Sequence, residues 1–185
     1  FDLSYDYIIN SNEKVAEKGH KTEEAINTID EKLTRYLISL SGEALSQKES
    51  EVLTNILDSS RDLERIGDHA EALINLNDYL QRKNVQFSEA ALEELAEIYH
   101  KTSEFVKDAL ESVENNDFKK AQALIERHED INNMERVLRK THIKRLNNGE
   151  CSTQAGVNFI DIISHYTRVS DHAMNLAEKV LAEQI

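Results

Sequence analysis

Proline is absent from these 185 residues and glycine occurs only five times. Proline removes a backbone donor and clashes inside a helix, so its absence leaves helices free to run to any length. The Gly/Pro clusters at short intervals that a strand-rich fold needs are missing too. With Ala, Leu, Ile, Glu and Lys abundant, the chain reads as all-α. One cysteine, Cys151, excludes an internal disulfide and suits a reducing compartment. No apolar run reaches membrane-span length, and no signal-peptide pattern is present. Basic residues are the minority, 22 Lys and Arg against 35 Asp and Glu, for a formal charge of −13. Such a surface repels nucleic acid and anionic head groups and suits cation binding or plain solubility. Hydrophobic residues, 39% of the chain, suffice for one ordinary core or two small halves.

An internal repeat decides the architecture. Arg65-Ile66-Gly67-Asp68-His69-Ala70 recurs as Arg168-Val169-Ser170-Asp171-His172-Ala173, an offset of 103 from Arg65 to Arg168. Upstream, the segment from Ile26 to Leu33 matches that from Ile131 to Leu138, an offset of 105. The difference falls in the connecting loops, Ser41 to Ser46 against Asn147 to Ser152, where insertions belong.

Helix-end signals agree. Ser46-Gln47-Lys48-Glu49 has capping-box form, and Ser88, Asp117 and Ser152 are N-cap candidates. Gly42 and Gly149 stand where a left-handed residue would end a helix. Helices are expected at roughly 13–40, 47–80, 89–115, 117–147 and 153–184. Seams of apolar residues at three- and four-residue steps support bundle packing at about 20°. One runs from Leu92 through Leu95, Tyr99, Thr102, Val106 and Ala109 to Val113. Another joins Ile162, Tyr166, Val169, Ala173, Leu176 and Val180, with Leu63, Ile66, Ala70 and Leu73 as its counterpart in the first half. The turn Asn115-Asn116-Asp117 maps to Asn10-Ser11-Asn12, so Phe1 to Ile9 is the tail of a shortened first helix. The expectation is two pseudo-repeats of an antiparallel three-helix bundle, spanning 1–83 and 84–185, with the first helix truncated and the remainder of a larger protein upstream.

The stretch from Asp58 to Glu71 is the densest in chemistry. Glu64 and Asp68, four apart, stack on one helix face, with Arg61 and Glu71 extending the row beside the apolar seam. Crowded carboxylates repel, and a bound cation with a taste for oxygen relieves them. The plainer reading is a solvated face in which Arg61 and Arg65 form surface ion pairs of little worth.

The octapeptide Leu63-Glu64-Arg65-Ile66-Gly67-Asp68-His69-Ala70 resembles the signature of the PhoU family. Two more stretches, Phe87 to Leu95 and Asn148 to Gly156, resemble the PhoU-like tail of bacterial sodium/phosphate cotransporters. The resemblance covers nearly the whole chain. It implies a metal cluster held by a Glu/Asp-x-x-x-Asp motif, here Glu64 and Asp68, with Asp171 in the second copy. The ion implied is divalent or trivalent, such as iron or zinc. Thr167 stands where the second motif needs an acid, which puts that site in doubt. Asp161 with His165, and His172, are substitutes, a His/Asp pair being suited to zinc or iron. Glu24 and Asp30, matched by Glu129 and Glu135, are weaker candidates from the preceding helices.

The function so implied is non-enzymatic: a regulatory domain on the cytoplasmic side, modulating phosphate uptake by a sodium-coupled transporter whose membrane domain precedes Phe1. Inorganic phosphate and a second copy of the chain are further expected partners, and nucleic acid is not. The alternatives are a free-standing PhoU regulator, a carboxylate metalloenzyme and a metal-free structural bundle. A ferritin-like di-iron centre needs two Glu-x-x-His motifs, and only Glu97-Ile98-Tyr99-His100 fits. Nucleophilic use of Cys151 needs a partner base that the sequence does not identify.

Overall fold

Each of the five long helices starts on a side chain that satisfies an orphan backbone donor. Asn12 accepts from the Lys14 amide, Ser46 from Glu49, Ser88 from Ala91, Asp117 from Lys120 and Ser152 from Ala155. Glu49 returns a bond to the Ser46 amide, completing the capping box. The computed structural model describes residues 1–42 and 45–182. They form α1 (Asp2–Asn10), α2 (Glu13–Ser41), α3 (Gln47–Arg82), α4 (Glu89–Glu114), α5 (Phe118–Asn147) and α6 (Thr153–Ala182). These bounds follow the sequence expectation closely, although its residues 183 and 184 lie outside the described residues.

Helix ends differ in one respect. Ser11, Asn84 and Asn116 adopt positive φ of 51°, 49° and 49°, and Gly149 does so at 71°. Gly42 does not: its φ is −74°, and the last turn of α2 closes through its amide on the Leu40 carbonyl, which needs no left-handed residue. Ser11 and Asn116 are 105 apart, as are the N-caps Asn12 and Asp117, so the repeat extends to turn geometry.

In the second repeat α4 covers both α5 and α6. Leu95, Ile98, Phe105, Phe159, Ile162, Tyr166 and Val169 are fully buried there. In the first repeat α1 reaches only the near end of α2 and α3, where Tyr7 packs with Ala16 and Ile74. Beyond Phe1, the residues Ile26, Ile29, Leu33, Ile56 and Leu63 line an open apolar groove between α2 and α3. Leu63, expected in the core seam, is 42% exposed: among the described residues no helix lies over it. The repeats join through α3 and α6, which run antiparallel, Ser59 meeting Lys179 and His69 meeting His165. No described helix is long and apolar enough to cross a membrane.

Candidate functional site

Gly67 lets α2 approach α3 closely, since a Cβ there would lie 3.3 Å from the Ile26 Cδ1 atom. That approach brings two rows of polar side chains face to face. From α3 come Glu64, Asp68 and Glu71; from α2 come His20, Glu23 and Asp30. His20 Nδ1 lies 2.7 Å from Glu71 Oε1, and the Ser60 hydroxyl donates to Asp30 at 2.6 Å. Arg65 reaches Asp68 at 3.3 Å and Glu64 at 3.7 Å. Burial raises the Glu64 carboxyl, and the nearby charges of Asp68, Asp30 and Glu23 raise it further against the pull of Arg65. Glu23 is raised likewise, by burial and then by Glu71 and Asp68. The five carboxylates thus carry more negative charge than Arg65 and His20 can balance. They supply hard oxygen donors, the chemistry a divalent or trivalent cation takes. Among the described residues, no three His, Cys, Asp or Glu side chains are grouped closely enough to hold a metal ion as they stand.

The second repeat is built differently at the same place. Asp171 Oδ1 lies 3.0 Å from His128 Nε2, and Asp171 Oδ2 lies 3.3 Å from Arg168. Burial pushes the Asp171 carboxyl up, but the His128 and Arg168 bonds and charges hold it below its ordinary value. The Thr167 hydroxyl donates to the Ile163 carbonyl of its own helix at 3.1 Å. Glu135 is engaged by Arg139 Nε at 2.7 Å. Asp161, Glu24 and Glu129 are exposed and stand away from the rows just described.

His165 and His172, grouped with Asp171 by sequence, turn to the first repeat instead. His172 Nδ1 lies 3.0 Å from Asp62 Oδ1, which also accepts from Asn175 at 2.9 Å. His165 Nδ1 lies 3.0 Å from His69 Nδ1, with ring centres 5.2 Å apart. The nitrogens therefore meet head-on, one donating to the other, rather than converging on a third atom. Asp62 and His165 are 103 apart, as are His69 and His172, so both pairs are one contact seen from the two repeats. Burial, with the charges of His165, His172, Arg168 and Arg65, lowers His69 to about 4. These histidines hold the repeats together.

Glu97 and His100 are exposed on the outer face of α4, whereas a di-iron bundle needs its ligands pointing inward. Half-buried Cys151 has His142 Nε2 at 3.8 Å, a neighbour the sequence did not reveal. That imidazole is itself buried and stacked on Phe159, ring centres 4.0 Å apart. Sequence reading also missed Glu23, His20 and His128 as facing residues. Helical spacing was the available signal: Glu23 lies seven before Asp30 and shares its face, whereas Glu24 does not.

Comparison with known proteins agrees with this architecture. The chain is 29% identical over 178 residues to the phosphate-specific transport system accessory protein PhoU homolog 1 of Thermotoga maritima, covering 96% of this chain and 68% of that protein. Its fold is similar to the crystal structure of the phosphate transport system regulatory protein PhoU from Streptococcus pneumoniae. That match has a TM-score of 0.84 and 21% identity, and covers 99% of this chain and 85% of the other. PhoU from Pseudomonas aeruginosa matches with a TM-score of 0.88 and 18% identity, over 100% of this chain and 88% of that one. The model of the PhoU domain matches residues 1–76 and 95–180. Two three-helix repeats and a matched domain model over most of its length make this chain a member of the PhoU family.

Proposed function

We propose that this protein regulates phosphate transport as a PhoU-type accessory protein, acting by binding rather than by catalysis. The single observation that carries this is the PhoU domain match across both repeats. The Thermotoga maritima relative, named as an accessory protein of a phosphate-specific transport system, favours a separate PhoU regulator over the cotransporter tail expected from sequence. That expectation rested on two short stretches, Phe87 to Leu95 and Asn148 to Gly156, which carry no site chemistry. The chain works on the cytoplasmic face of the membrane, against components of a phosphate transporter. Glu64 and Asp68, with Glu23, Asp30 and Glu71, hold a cation there; the cation offers phosphate, or an acidic surface of the transporter, a positive point of attachment on an otherwise negative protein.

The test is phosphate uptake in cells deleted for this gene and complemented with wild type or with Glu64→Ala/Asp68→Ala. Deletion should release uptake in phosphate-rich medium, wild type should restrain it again, and the double variant should restrain it poorly. Uptake indifferent to the deletion sinks the regulatory reading. Full restraint by the double variant sinks the role of the acidic face.

A further inference from the structure

We infer that the second repeat has exchanged its cation for a histidine: His128 neutralises Asp171 directly, so metal binding by this chain is confined to the first repeat. The inference rests on the metal reading of the first repeat proposed above and goes beyond it by assigning asymmetry to a duplicated site.

The donor sets decide it. Glu23, Asp30, Glu64, Asp68 and Glu71 of the first repeat correspond, by the offsets of 105 and 103, to His128, Glu135, Thr167, Asp171 and Met174. Two of five carboxylates survive, and both are already engaged within the protein. Asp171 is bonded by His128 at 3.0 Å and Arg168 at 3.3 Å, and Glu135 by Arg139. Thr167 spends its hydroxyl proton on its own helix. Met174 is 5% exposed and belongs to the core around Phe105 and Ala177. The His128 ring rests against the Phe105 ring, centres 5.8 Å apart, so apolar packing backs it in the position from which it reaches Asp171. A hard cation needs several oxygen ligands. To bind here it would have to break charge-assisted bonds and still find too few donors. In the first repeat five carboxylates share fewer partners: among the described residues Arg65 reaches Asp68 and Glu64, and His20 reaches Glu71, so oxygen donors remain in excess.

The experiment measures Mn²⁺ and Zn²⁺ bound per chain by equilibrium dialysis with element-resolved detection. The full chain is compared as wild type, Asp68→Asn, Asp171→Asn and His128→Glu/Thr167→Glu. Asp68→Asn should weaken binding at least tenfold, and Asp171→Asn should leave it within twofold. The double variant, which restores two carboxylates, should roughly double the bound metal. Loss of metal in Asp171→Asn equal to that in Asp68→Asn, or no gain in the double variant, overturns the inference while leaving a metal-binding protein. A wild-type chain that takes up neither ion refutes the metal reading itself, and the inference with it. Thermal unfolding in chelator gives an independent readout: Asp171→Asn should lower the midpoint more than Asp68→Asn, because Asp171 has both His128 and Arg168 as partners and Asp68 has Arg65 alone. Equal losses would count against the exchange.

Discussion

The two repeats share a plan and differ in how they are finished. In the second, Phe159, Ile162 and Tyr166 are completely buried, in a core that Ile8, Leu73 and Leu80 of the first repeat help to close, and the polar face beside them is internally neutralised. In the first, α2 buries only Ala16, Gly19 and Leu37 of its 29 residues, a groove stays open, and acids face acids. The two copies share one backbone plan and differ in the side chains of their polar faces.

That contrast can be broken most forcefully in the core. Phe159→Ala, at a position with no exposure, should cost about 3–5 kcal/mol in urea denaturation, whereas Leu63→Ala in the open groove should cost less than about 1 kcal/mol. Equal costs would mean that the groove is covered in solution.

Glycine substitutions sharpen the comparison at smaller scale. A Cβ at Gly19 would fall 2.2 Å from Ile74 Cδ1, and Ile74 is buried; Gly19→Ala should lose about 1–2 kcal/mol despite its better helix propensity. Gly67→Ala meets only Ile26, half-buried at the groove edge, and its counterpart in the second repeat is already Ser170. It should leave the unfolding midpoint close to wild type.

Acid should act on the second repeat and the seam before the first. Burial lowers His142, and both burial and neighbouring charges lower His69, so the folded state prefers the neutral rings. A depressed folded pKa gives stability that is complete above the unfolded value near 6.5 and lost as pH falls. His142→Leu should therefore flatten the decline in stability between pH 7 and pH 5. A decline unchanged by the substitution would assign it to the seam histidines alone.

The smallest expected effect concerns the matched turns. Ser11 and Asn116 both hold φ near 50°, a conformation that costs serine more than asparagine. Ser11→Gly should raise stability by up to about 1 kcal/mol and Asn116→Gly by less, read from paired thermal melts.

Much of the fold was legible because its causes are local. The caps at Ser46, Ser88, Asp117 and Ser152 and the proline-free runs between them fix helix limits, and the 103 and 105 offsets fix the repeat. The candidate site was legible on α3, where Glu64 and Asp68 share a motif. It was not legible across helices. That Glu23 rather than Glu24 faces Asp68, and that His165 and His172 bond across the seam, depend on helix rotation and on the α3–α6 register, which no single segment encodes. Leu63 shows a related limit: an apolar stripe marks a face to be covered, but what lies over it is set by another segment, and among the described residues nothing does.

The seam between α3 and α6 also bears on how the molecule comes apart. Asp62 with His172, and His69 with His165, tie each repeat to the other's last helix, and Tyr166 and Leu73 belong to one core cluster spanning both. Neither half can open along that line without exposing the other, so the chain should unfold in a single cooperative step despite its duplicated design. Hydrogen exchange should then grade outward, with amides of α6 protected up to global unfolding and those of α2 around Tyr36 and Ile38, both exposed, released first.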